Sequence, residues 1–352
     1  GGSAVGGGLA LRGTVGTVVL DQIVFVGNRV EGGSGSDRGG YAIGGGLYTY
    51  RAKLKASNIF AEGNVALAGR SNGSGVDGSG ELADAQGGAL AFHLDSDIHL
   101  SNAEILGNQA VGGAAPSGNA GGAFGGGIFS ESATIVTIVD TLVRDNLAAG
   151  GNGVNSDTLF RGTGFGNGGG MRLAKSPAHL ERVSVIDNLA RGGTGAQYRG
   201  SAGGGGLSFT SKSNDDVKMF NVVVAGNRVE MGGGPDASVG GGGGGIWIQG
   251  NHVVIDHTTI AGNELEAGST LHGSAMGLYE RGAPDFDVLL RNSIVAQHET
   301  ASNAQTIWVK AGNSIRFLNV MLAENGLGPL TDGEGTVRGL DSTINVDTIG
   351  FL

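Results

Sequence analysis

Residues 98–108 read IHLSNAEILGN, and the same design recurs along the chain. The other copies are VVLDQIVFVGN (18–28), LKASNIFAEGN (54–64), VTIVDTLVRDN (136–146), AHLERVSVIDN (178–188), VKMFNVVVAGN (217–227), VVIDHTTIAGN (253–263), VLLRNSIVAQH (288–298) and IRFLNVMLAEN (315–325). Counting back from the final Asn, positions −10, −8 and −3 are almost always apolar, and −5 is Val, Ile, Thr, Ser or Ala. A spacing of two and a wealth of Val, Ile and Thr both predict strands.

A second landmark precedes each copy. It is GGGL at 6–9 and 44–47, GGAL at 87–90, GGGI at 125–128, GGGM at 168–171, GGGL at 204–207 and GGGI at 243–246, decaying to AMGL at 275–278 and TIW at 306–308. From landmark to Asn the length barely changes. From Asn to the next landmark it varies, and Gly, Ser and Asn dominate. Insertions confined to one point of each repeat mark a solenoid. Leucine-rich repeats are shorter, and propeller blades need four strands. The expected fold is all-β: a single parallel β-helix domain over 1–352 with about nine to ten rungs and Gly-rich loops at one corner. Regular rungs span about 6–325, and 326–352 reads as a degraded last rung or C-terminal tail. Nine rungs at ~4.8 Å give a rod of roughly 43 Å.

Composition narrows the function. The 352 residues include 73 Gly and only 5 Pro, but no strict Gly-X-Y period, so collagen is excluded. A net charge of −10 argues against nucleic acid and anionic membranes as partners. With no Cys there is no disulfide framework or Cys-based zinc site. No apolar run reaches ~18 residues, so no membrane-spanning segment is expected. The opening GGSAVGGGL does not read as a signal peptide.

The recurring Asn has a physical role. Its amide can donate and accept along a stack, and Asn tolerates the left-handed backbone of tight corners. A structural ladder is therefore expected through Asn28, Asn64, Asn108, Asn146, Asn188, Asn227, Asn263 and Asn325, with His298 breaking it. The Gly runs fit places of close backbone approach or positive φ. No Lys-Ser/Thr follows them, so they are not phosphate loops. GGSGSD (32–37), GSGVD (73–77), GGNGVN (150–155) and GGTGAQ (192–197) resemble single calcium nonapeptides, which work in tandem. Calcium is the one cofactor they raise. Flexible or mutually packed Gly loops are the expectation, and no metal site is assigned.

GG[A/G][L/I] followed by a strand ending FxxN resembles the repeat of chlamydial polymorphic outer-membrane proteins and autotransporter-type passengers. Gly87-Gly88-Ala89-Leu90 and Phe25-Val26-Gly27-Asn28 match that pattern. Other copies put Val, Ile, Leu or Ala at the Phe position, so the likeness is to a broad class and covers about residues 6–325. It implies a right-handed parallel β-helix, secreted to a bacterial surface.

One stretch suggests chemistry. LAFHLDSDIHL (90–100) carries His93, Asp95, Asp97 and His99 at alternate positions. Aligned on the Asn, the preceding copy sets Arg51, Lys53 and Lys55 beside Asp95, Asp97 and His99. The bland expectation is a solvated wall of cross-rung ion pairs, each contributing ~0.2–1 kcal/mol. The sharper alternative is a polysaccharide lyase or hydrolase of the pectate-lyase-like class. In it Lys53 and Lys55 act as base and clamp while Asp95, Asp97 and His99 complete the site. Zinc on a His-x-Asp-x-Asp-x-His strand is a third possibility, since alternate residues of one strand can reach one ion.

The residue after each landmark should face outward. Tyr48, Phe129, Trp247 and Tyr279 hold that place in four copies and are candidate binding residues, since exposed rings stack on sugars or anchor proteins. The alternative is that the Gly-rich loops fold over them. No outward column is consistently Thr, which argues against ice binding. Open strand edges would permit end-to-end self-assembly. The leading expectation is a non-enzymatic structural or adhesion protein, extracellular or at a bacterial cell surface, with surface glycans or other proteins as partners.

Overall fold

The computed structural model describes residues 1–72, 83–116, 118, 120–153, 164–195, 199–210, 216–234, 241–250, 252–266, 271–279, 287–298, 306–310 and 313–323, and short strands at Thr331–Asp332, Thr336–Leu340 and Asn345–Val346. Among these residues the ordered elements are all strands. One repeat shows the plan. Ala123–Phe124 enters sheet A, Ile128–Glu131 sheet B, Ile135–Arg144 sheet C and Leu147–Ala149 sheet D. Each strand pairs in parallel with its counterparts in the repeats before and after, so Ile128 lies between Leu90 and Met171. The four sheets hold 8, 10, 16 and 7 strands. Sheet C has the most because its long strand divides in some repeats, as at Thr17–Asp21 and Val24–Val26.

The periodicity lands where it should. Ile98, Leu100, Ala103 and Ile105, the −10, −8, −5 and −3 positions, are all buried in the main core with Leu90 and Phe92 of sheet B. A second core is made of small residues. Ala42, Ala85 and Ala123 of sheet A pack with Ala66, Ala110 and Ala148 of sheet D. Ala190, Ala202 and Val229 continue this layer.

The Gly-rich stretches are therefore not simple loops. Their ends form sheets D and A, and beyond those lies a seam of backbone alone. The N–H of Gly113 donates to Ala83, Gly121 to Gly113, Gly151 to Gly121, Gly164 to Gly151, Gly193 to Gly164, Gly200 to Gly193 and Gly232 to Gly200, at 2.7–3.0 Å. A Cβ on Gly121 would collide with the Ala83 carbonyl oxygen. Mutual packing of the glycines is thus borne out where they are described. The stretches 73–77, 154–155 and 196–197 lie outside the described residues.

The landmark glycines have distinct tasks. Gly125 has φ 64°, the left-handed region where a side chain is costly. A Cβ on Gly127 would press on the Asn146 amide, 3.1 Å away. In the eighth copy the register differs from the sequence reading. Met276, not Leu278, pairs with Ile246, and Gly273 takes φ 72°, so the landmark is GSAM at 273–276. Trp308 then pairs with Gly277, and Tyr279 with Gln249. The Gly-Leu of AMGL imitates the landmark two residues late.

Candidate functional site

The Asn residues form one internal ladder. Asn64, Asn108, Asn146, Asn188, Asn227 and Asn263 are fully buried. Asn108 donates its backbone N–H and its Nδ2 to Asn146 Oδ1, both at 2.9 Å. Asn146 does the same to Asn188 at 3.0 and 2.9 Å. Each Nδ2 also reaches back to a carbonyl, as Asn146 does to Ile105 at 2.9 Å. Asn325 lies outside the described residues.

Two expectations about this ladder are corrected. His298 does not break it. Its Nδ1 accepts the Asn263 backbone N–H at 3.3 Å, and its Nε2 donates to the Ile260 carbonyl at 3.1 Å. The neutral imidazole offers one acceptor and one donor, enough to replace the backbone link and the reach back to a carbonyl that an amide makes here. Burial pushes its pKa down to about 4. Nor do the ladder residues carry the left-handed backbone. That falls one residue earlier, at Gly63, Gly107, Asp145 and Asp187, and again at −6, at Asn58, Asn102, Asp140 and Arg182.

A second set of side-chain links joins residues at −6 to residues at −6 or −7 of the repeat before. Asn58 Nδ2 donates to Asp21 at 2.7 Å, and Asn102 donates to Asn58. Arg182 pairs with Asp140, whose carboxyl it holds below the usual range. Asn292 and Asn319 repeat the pattern above Asp256. The signal was present as Asn or Asp six residues before the ladder Asn in most copies.

The candidate catalytic face takes its predicted register. Asp97 pairs with Lys53, and His99 with Lys55. The stretch LAFHLDSDIHL is not one strand, however. It breaks between Leu90–His93 and Asp97–Leu106, with Leu94 and Asp95 left-handed at φ 33° and 51°. His93 and His99 therefore belong to different sheets, and the alternating edge proposed for zinc does not exist. Lys53, Lys55, Asp95 and Asp97 are exposed on an open face, and His99 is half-buried. Arg51 pairs with Asp95 at 3.6 Å. Among the described residues no three His, Asp or Glu side chains gather as a metal site. A shallow groove of about 300 Å³ lies elsewhere, beside sheet D, lined by Glu31, Leu67, Arg70, Val111 and Asn152 among others.

The aromatic residues are not an exposed platform; they are covered, the alternative in which the Gly-rich segments fold over them. Tyr48, Phe129 and Trp247 are 6, 2 and 7% exposed, and Tyr279 is half-buried. They form a packed layer between sheets B and A. His93 sits between Tyr48 and Phe129 at ring distances of 5.5 and 5.3 Å, and burial takes its pKa down to about 4. Trp247 stacks on Tyr279 at 3.9 Å. The Tyr279 hydroxyl donates to Gly241 O at 2.8 Å. Gly203 leaves the space Trp247 fills: a Cβ there would strike the indole.

Among the described residues no helix is long and apolar enough to cross a membrane. Comparison of the sequence with protein-family models and with curated proteins finds no match.

Proposed function

We propose that the chain winds as a single right-handed parallel β-helix and serves as a non-enzymatic structural or adhesive rod, extracellular or at a bacterial cell surface. The observation that carries the reading is where the polar chemistry sits. The buried hydrogen-bonding groups of the Asn ladder, the Gly seam and Tyr279 are directed at the molecule's own backbone. Lys53, Lys55 and Asp97 stand instead on an open sheet face, with Asp95 exposed at the corner beside it, where water competes for every contact. A lyase or hydrolase needs convergent groups held in fixed positions around the reacting bond. The likeness of Gly87–Leu90 and Phe25–Asn28 to the chlamydial surface-protein repeat supports the right hand and the surface location. Surface glycans or other proteins are the proposed partners, met by the outer faces rather than by the buried aromatic layer.

The test is incubation with a panel of acidic and neutral polysaccharides, with detection of new unsaturated or reducing ends. No cleavage is expected. Cleavage lost in Lys53→Ala or Asp97→Ala would make the chain an enzyme and overturn the reading.

A further inference from the structure

Two neighbouring columns on the outer face of sheet C differ in height. Val223, Thr259, Ile294 and Met321 lie in register in four successive repeats. Two residues along each strand stand Ala225, Ala261, Ala296 and Ala323, in the same register. Ile294 and Met321 are each 41% exposed. Val223 and Thr259 are half-buried, as are Ala225, Ala261 and Ala296, while Ala323 is 7% exposed, so one column is a row of knobs and the other a row of low alanines that is closed over at its last member.

The strip carries no charge. Three earlier repeats carry a charge at the same positions: Phe60 with Glu62, Glu104 with Leu106, and Leu142 with Arg144, whereas Val24 with Val26 and Ser184 with Ile186 carry none. Charges on an exposed sheet face discourage apolar contact. Here they guard three repeats, and the four repeats of the strip form an uninterrupted uncharged run.

We propose that this strip pairs two copies of the chain side by side, with the rods parallel. A two-fold axis along the stacking direction places the knob column of one copy over the alanine column of the other. Both columns have the same strand spacing, ~4.8 Å, so the knobs of Val223, Thr259 and Ile294 meet the open holes at Ala225, Ala261 and Ala296, repeat by repeat. Reversing one rod sets knob on knob and hole on hole. The shape of the strip therefore selects the parallel arrangement. Its neutrality matches only another neutral surface, and the identical strip is one. Four strands and two columns cover well under the ~800 Å² per partner of a standard interface, so the pairing is weak and concentration-dependent. It holds whether the chain is a scaffold or an enzyme.

The chain has no cysteine, which makes the test direct. Ile294→Cys and Ala296→Cys are prepared as separate chains and mixed under mild oxidation. A disulfide-linked heterodimer is expected in the mixture, with little homodimer from either chain alone. Sedimentation of the unmodified chain should show reversible dimers at high concentration, and Ala261→Lys should weaken them at least tenfold. A chain monomeric at every concentration overturns the proposal, as does homodimer from Ile294→Cys alone or association unchanged in Ala261→Lys. A monomer whose Ile294→Lys variant loses binding to a polysaccharide of the panel would assign the strip to glycan and also overturn the pairing. Matching denaturation midpoints confirm that each variant is folded.

Discussion

Asn146 serves several neighbours at once. Its Oδ1 accepts from the backbone and side chain of Asn108, and its Nδ2 reaches Ile105, Arg144 and Asn188. Removing the amide leaves buried groups unpaired, at ~1–3 kcal/mol each. Asn146→Ala should therefore lose about 3 kcal/mol or more, read from the denaturant midpoint, far above a typical surface change. His298 gives the ladder a pH dependence. Its pKa is about 4 folded, below the ~6.5 of an unfolded His. Between those values the unfolded chain binds the extra proton, so stability falls as pH drops from about 6.5 toward 4. The loss is on the order of 3 kcal/mol at most. His298→Asn should keep the ladder and remove that share of the acid sensitivity, as measured by melting across this pH range. Unchanged acid sensitivity would contradict the buried, neutral assignment.

At the scale of the element, the strands of sheet C were legible because each inward position repeats in kind. Ile98, Leu100 and Ile105 announce one buried face every second residue. The corners were harder to read. Leu94 and Asp95 turn the chain inside an alternating pattern that looks continuous in sequence. Sheets A and D were hidden for a different reason. Their strands span two or three residues and their core is Ala on Ala, so neither length nor hydrophobicity marks them. The aromatic residues were placed on the correct outer face of sheet B, but the sheet A strand that covers them has no sequence signal. The seam makes a testable contrast. Gly121→Ala forces a methyl against the Ala83 carbonyl and should cost about 1–3 kcal/mol. Gly16→Ala, exposed with no atom near its Cβ, should be neutral or slightly stabilising by thermal melting. Equal tolerance at both sites would mean the seam is not closely packed.

Across the whole molecule, a side chain repeated once per repeat becomes a continuous column. Buried columns hold the repeats together through amides, glycine backbones and packed rings. Exposed columns carry ion pairs, such as Lys175 with Glu131 and Arg182 with Asp140. Exposed pairs of this kind contribute ~0–1 kcal/mol each, so raised salt should change stability little. The stability then rests on internal columns running through successive repeats, and it should be lost cooperatively rather than repeat by repeat. Amide hydrogen exchange tests this most directly. The account predicts that the N–H groups of Asn108, Asn146 and Asn188, and those of Gly121, Gly151 and Gly193 in the seam, exchange slowest and share one common opening free energy. Seam amides exchanging as fast as exposed residues such as Gly16, while the Asn amides stay protected, would contradict it.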